Sequence, residues 1–197
     1  IYKPDADEDT MIDTIHNLSR KLTDKDNLLI YYAGHGELDE NTNKGYFLPI
    51  DAKANKRSTW ISNDFIRDEA LATKARHVLL IADSCFAGSL MRSVDTNKTN
   101  LSISNDKIYL KKMEKKKSRR VIASGGNEEV IDSLPGENHS LFAKKLIEIL
   151  NNSQTVFNTS DIFEDIRRYV ANNAKQAPEQ GKLYGTGDDG GDFFFFP

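Results

Sequence analysis

The stretch Arg76-His77-Val78-Leu79-Leu80-Ile81-Ala82-Asp83-Ser84-Cys85-Phe86-Ala87-Gly88 constrains this chain more than any other. Val78 to Ala82 is an apolar run, rich in branched side chains and too short for a helix. It predicts a strand buried on both faces, as in the middle of a parallel sheet. Asp83-Ser84-Cys85, holding the only cysteine of the chain, falls where that strand must end. In open α/β sheets the reactive groups collect beyond the carboxyl ends of the strands. A second run of the same type, Leu28 to Ala33, ends in Gly34-His35-Gly36. Cys85 and His35 are therefore expected at one edge of one sheet, as a thiolate nucleophile and its base require.

With 197 residues, 38% of them hydrophobic, the chain has enough apolar material for one well-buried core and reads as one domain. A net charge of −3 gives no reason to expect nucleic acid as a partner. A single cysteine excludes an internal disulfide framework and fits a reducing cytoplasm. No apolar run approaches the roughly 18 residues that a bilayer span needs, so no membrane partner is expected. Ile1-Tyr2-Lys3-Pro4-Asp5 carries neither an initiator Met nor a signal peptide and reads as the middle of a longer polypeptide.

Along the chain, strand runs alternate with helical periodicity, which predicts an α/β layer fold. Met11, Ile15, Leu18 and Leu22 lie at helical spacing between Thr10 and Leu22, after the dipole-favoured acids Asp7, Glu8 and Asp9. Glu37 to Asn43 reads as an exposed loop, and Gly45 to Asp51 as a short strand stopped by proline. Ser62-Asn63-Asp64 caps a helix through about Ala72, with Phe65, Ile66 and Leu71 toward the core. Ser93 to Asp106 reads as a surface loop, Lys107 to Arg120 as a solvated basic helix, and Val121 to Ser124 as a third strand. Ser140 caps a helix to about Asn151, and a last helix runs from Ser160 to about Lys175. Gly181 to Asp192 is a glycine- and aspartate-rich tail before the apolar strand Phe193 to Phe196.

A thiol is only slightly ionised at neutral pH unless a neighbour such as a protonated histidine favours the thiolate. In amide hydrolysis the same imidazole then protonates the leaving amine. Gly34, Gly36 and Gly88 allow close approach of backbone to substrate, and the amides of Gly36 and Cys85 are candidates for an oxyanion hole. A lone Cys is often inert packing, but polar Asp83 and Ser84 at a strand end favour the catalytic reading. His16, His77 and His139 read as surface or structural. Asp188, Asp189 and Asp192 read as a turn, and no Cys or His spacing suits zinc, so no metal or cofactor is expected. A cysteine phosphatase would place Arg six positions after the nucleophile, whereas here it is Arg92, seven after Cys85.

Tyr32-Ala33-Gly34-His35-Gly36, then Gly45-Tyr46-Phe47-Leu48-Pro49-Ile50-Asp51, then Asp83-Ser84-Cys85-Phe86-Ala87-Gly88 resembles the caspase-like cysteine peptidases of clan CD (peptidase family C14), particularly the bacterial caspase-like and metacaspase groups. His35 and Cys85 are 85 − 35 = 50 positions apart, matching the spacing of about 50 residues in caspases. Val121 to Gly126, Ser140-Leu141-Phe142-Ala143 and Gly191-Asp192-Phe193 are similar to later parts of that domain.

This resemblance implies a caspase-like α/β/α sandwich with a mostly parallel central sheet, its first strand absent from this chain. It implies a large-subunit-like part over about 1–105, a basic linker or helix over about 106–120, and a small-subunit-like part over about 121–197. The implied activity is endopeptidase cleavage of protein or peptide substrates by a His35/Cys85 dyad. Caspases that cut after Asp have Gln two before the cysteine; here Asp83 holds that position. By similarity to metacaspases Asp83 lines the first pocket and favours Arg or Lys, with Ser124 as a second substrate-binding residue. Metacaspase calcium sites use an Asp where Arg92 stands, so calcium activation is not expected. Bacterial relatives act in defence or cell death with sensor domains attached, and self-processing within Lys111 to Arg120 would fit such regulation. The alternative is a catalytically silent caspase-like domain that binds partners.

Overall fold

The computed structural model describes residues 1–85, 87–93, 107–126 and 138–197, with backbone alone at 87, 92 and 93. Its elements in chain order are α1 (Glu8–Lys21), β1 (Asn27–Ala33), β2 (Gly36–Asp39), β3 (Lys44–Phe47), β4 (Ile61–Ser62), α2 (Asn63–Ala72), β5 (His77–Asp83), β6 (Met91–Ser93), α3 (Lys107–Glu114), β7 (Ser118–Ala123), α4 (Leu141–Asn152), β8 (Phe157–Asn158), α5 (Thr159–Asn173), β9 (Glu179–Leu183) and β10 (Phe194–Phe195).

The central sheet has the order β1-β5-β7-β9-β6. β1, β5 and β7 are parallel, while β9 runs antiparallel to both β7 and β6. All seven residues of β5 are buried, as its unbroken apolar run requires. Alternation along the strands divides the core in two. Val78, Leu80, Ala82, Val121 and Ala123 pack with α1 and α2 through Met11, Ile12, Ile15, Ile66 and Ala70. Leu79, Ile81 and Ile122 pack with α4 and α5 through Phe142, Leu146, Ile162, Phe163 and Ile166. Each Val, Leu, Ile or Phe among them that is fully buried contributes about 1.5–3 kcal/mol. The result is a helix-sheet-helix sandwich with a mostly parallel sheet.

Local capping signals set the helix starts. The side chains of Asp7, Ser62 and Ser140 accept the backbone N–H of Thr10, Phe65 and Ala143, and Asn158 forms a capping box with Asp161 at α5. α1 is held to α2 by Glu69, whose carboxylate accepts from Ser19 and lies 3.0 Å from His16 Nδ1 and 3.5 Å from Arg20.

Several expectations change. β1 is not buried on both faces: it has one sheet partner among the described residues, and Leu29 and Tyr31 remain 42% and 43% exposed. The polar stretch after His35 is a β2–β3 hairpin rather than a loop. Asp39 organises its turn by accepting from Asn41, Thr42 and Arg57, and Asn43 takes the left-handed φ of 53° that Asn tolerates. Leu71 faces solvent at 55% exposure. The basic helix stops at Glu114, and Arg119 and Arg120 enter β7. Arg119 is 1% exposed because its guanidinium donates to the carbonyls of Ala70, Ala75, Arg76 and Ser118, closing the end of α2 and the start of the sheet. The glycine-containing stretch Glu179–Leu183 is a sheet strand, not tail. The surface loop expected at Ser93 to Asp106 falls, beyond Ser93 itself, outside the described residues.

Candidate active site

The parallel register of β1 and β5 pairs Ala33 with Asp83. Two residues beyond each stand His35 and Cys85, so both follow the carboxyl ends of adjacent strands. The turns then touch. Gly34 N–H donates to the Asp83 carbonyl at 3.3 Å, and Gly36 lies flat against the Cys85 carbonyl. A Cβ on Gly36 would collide with that oxygen and lie 2.6 Å from Ser84 Oγ, so only glycine fits this approach. His35 is exposed and Cys85 is half-buried.

Each turn has its own brace. The Tyr32 hydroxyl donates to the His35 carbonyl at 2.8 Å and lies 3.1 Å from that of Leu48, while Leu48 N–H donates to His35 at 3.0 Å. Burial pushes the Tyr32 phenol up to about 12, so it stays protonated and a donor. On the cysteine side, Ser124 Oγ accepts the Ser84 N–H at 3.1 Å, and Gln176 Nε2 donates to the Ser124 carbonyl at 3.2 Å. Gly88, past the cysteine, packs against the Gly126 backbone and the Glu179 carboxylate, where an added Cβ would have contacts at 3.1 and 3.0 Å.

Asp83 is 9% exposed and ends β5 with its carboxylate on the α4 side of the sheet. Oδ2 accepts from Ser140 Oγ at 2.5 Å and from Tyr31 OH at 3.4 Å. Ser124 departs from expectation. It is 0% exposed and its hydroxyl is taken by the Ser84 backbone, so it supports the turn from beneath rather than meeting substrate. Tyr31, Tyr32, Ser140 and Gln176 are not singled out as site residues by the sequence, because each bonds to a residue remote along the chain. A cavity of about 340 Å³ between Asn63, Arg67, Met91 and Tyr184 takes in neither His35 nor Cys85.

Fold and strand-end histidine and cysteine together define the class of α/β proteins with a caspase-like sandwich. The caspase domain family model matches residues 1–182, and the chain belongs to that peptidase family. Among solved structures it is similar to caspase-1 from Spodoptera frugiperda, with a TM-score of 0.59, 18% identity, and coverage of 92% of this chain and 69% of the other. It is equally similar to a Geobacter sulfurreducens protein, with a TM-score of 0.59 and 15% identity, over 89% of this chain and 72% of that one. At these identities the likeness is one of fold. No curated protein sequence matched. Among the described residues no helix is long and apolar enough to cross a membrane.

Proposed function

We propose that the chain is a cysteine endopeptidase that cleaves protein substrates after Arg or Lys, with Cys85 as nucleophile and His35 as its base. The observation that carries this reading is the equal offset of His35 and Cys85 beyond the paired residues Ala33 and Asp83, with Gly36 seated on the Cys85 carbonyl. The Cys85 thiolate attacks the scissile carbonyl carbon, and the amides of Cys85 and Gly36 receive the developing oxyanion. Collapse of the tetrahedral intermediate expels the amine, which takes its proton from His35 and leaves a thioester on Cys85. Water, deprotonated by His35, then attacks the thioester, releasing the acid product and restoring the thiol. Asp83, an acid at the mouth of β5, supplies the negative charge for a cationic side chain.

Labelling with an electrophilic peptide ending in Arg or Lys tests the assignment. An adduct on Cys85, lost in Cys85→Ala and about 10³-fold slower in His35→Ala, is expected. No adduct on the intact protein would favour the silent, partner-binding domain.

Self-processing belongs to the same reading. Arg119 and Arg120 lie in a core strand, whereas Lys111, Lys112, Lys115, Lys116 and Lys117 are exposed. Fragments cut within 111–117 in wild type and absent from Cys85→Ala, read by mass spectrometry, would support it. Identical fragments in both would exclude it. A sensor domain or partner controlling the peptidase remains part of this proposal, by analogy with bacterial relatives.

A further inference from the structure

We propose that Tyr31 and Ser140 are positioning residues for Asp83, fixing the carboxylate that selects a cationic side chain beside the scissile bond. The inference rests on the peptidase reading above and deepens its specificity.

The two hydroxyls come from different elements and converge on one oxygen, Asp83 Oδ2. Ser140 is the N-cap of α4, and its oxygen already accepts the Ala143 N–H at 2.8 Å. A serine hydroxyl has a single proton, so the cap leaves that proton directed at Asp83, 2.5 Å away. Tyr31 sits on the neighbouring strand, paired with Ile81, and reaches along the sheet face to Asp83. Burial, followed by the Asp83 charge, raises the Tyr31 phenol above its ordinary value, so it too remains a donor. Two hydroxyls converging on one oxygen fix the plane of the carboxylate. Recognition of a guanidinium needs such fixed orientation, because its donors form a planar fork. Without the hydroxyls the Asp83 carboxylate would lose its aim.

The test compares two peptides that differ only by Arg or its neutral isostere citrulline before the scissile bond, using the full chain. Tyr31→Phe keeps the ring and removes one donor. Ser140→Ala removes the second donor together with the cap, and Ser140→Thr restores both. The ratio of kcat/KM for Arg over citrulline should fall about fivefold in Tyr31→Phe and further in Ser140→Ala, through KM, and recover in Ser140→Thr. A purely structural role would lower both substrates alike and leave the ratio unchanged, which overturns the proposal. Should Ser140→Ala fail to fold, Tyr31→Phe decides alone. If the wild type shows no preference for Arg over citrulline, the specificity reading itself fails, an outcome separable from unchanged variants of a selective wild type.

Discussion

Gly36 and Cys85 meet across the ends of two neighbouring strands: the space that a Cβ on Gly36 would fill is taken by the Cys85 carbonyl. The turn carrying His35 therefore cannot shift without displacing the turn carrying the cysteine. Gly36→Ala forces the two apart, since the added methyl would collide with the Cys85 oxygen. We expect kcat/KM to fall at least about 100-fold, because misplacement by about 1 Å has that effect. The melting temperature should drop only modestly. Steady-state kinetics beside a thermal melt would check this, and near-normal activity would show that the turns are not coupled.

Ser124 lies beneath the cysteine turn. Ser124→Ala leaves the buried Ser84 N–H without its acceptor, which costs about 1–3 kcal/mol. Activity should decline through kcat, with the preference among substrates unaltered, as expected of a brace. A changed Arg-to-citrulline ratio in this variant would instead return Ser124 to the substrate pocket.

Arg119 holds four backbone carbonyls where α2 ends and the sheet begins. Burial lowers its pKa from the usual arginine value, yet it remains a cation at any physiological pH. Arg119→Met should destabilise the fold by about 3 kcal/mol, and Arg119→Lys by only slightly less, since an ammonium cannot reproduce the fork. Urea unfolding measures both; a loss below about 0.5 kcal/mol would mean that water replaces the guanidinium without penalty.

Glu69 makes the joint between α1 and α2 sensitive to acid. Burial pushes its carboxyl up, but the bonds from Ser19 and His16 and the charge of Arg20 outweigh this, and the net shift is downward. A carboxyl lowered in the folded state contributes stability that is complete above its unfolded value near 4.5 and lost as pH falls through the folded value. Glu69→Gln should therefore be less stable than wild type at pH 7 by about 1–2 kcal/mol, with the gap closing below pH 4.5. Denaturation at pH 7, 5 and 3.5 would reveal it, and a constant gap would assign the effect to packing.

Much of the fold was legible because its signals are local. The Val78 to Ala82 run can only be a buried strand. Ser62 and Ser140 announce helix starts through a bond three residues away. The order of motifs likewise pointed to the caspase-like class. What the chain order concealed depends on partners distant in sequence. Glu179–Leu183 is polar and contains glycine, and becomes a strand because β7 and β6 flank it. Arg119 reads as a surface cation until Ala70 in α2, Ala75 and Arg76 ahead of β5, and Ser118 in β7 supply carbonyls for its guanidinium. That His35 and Cys85 overhang the same strand ends follows from the register of Ala33 against Asp83, and register is chosen by which faces the helices bury. The convergence of Tyr31 and Ser140 on Asp83 belongs to the same category: residue types are written along the chain, but the angle between two side chains exists only once the layers have packed.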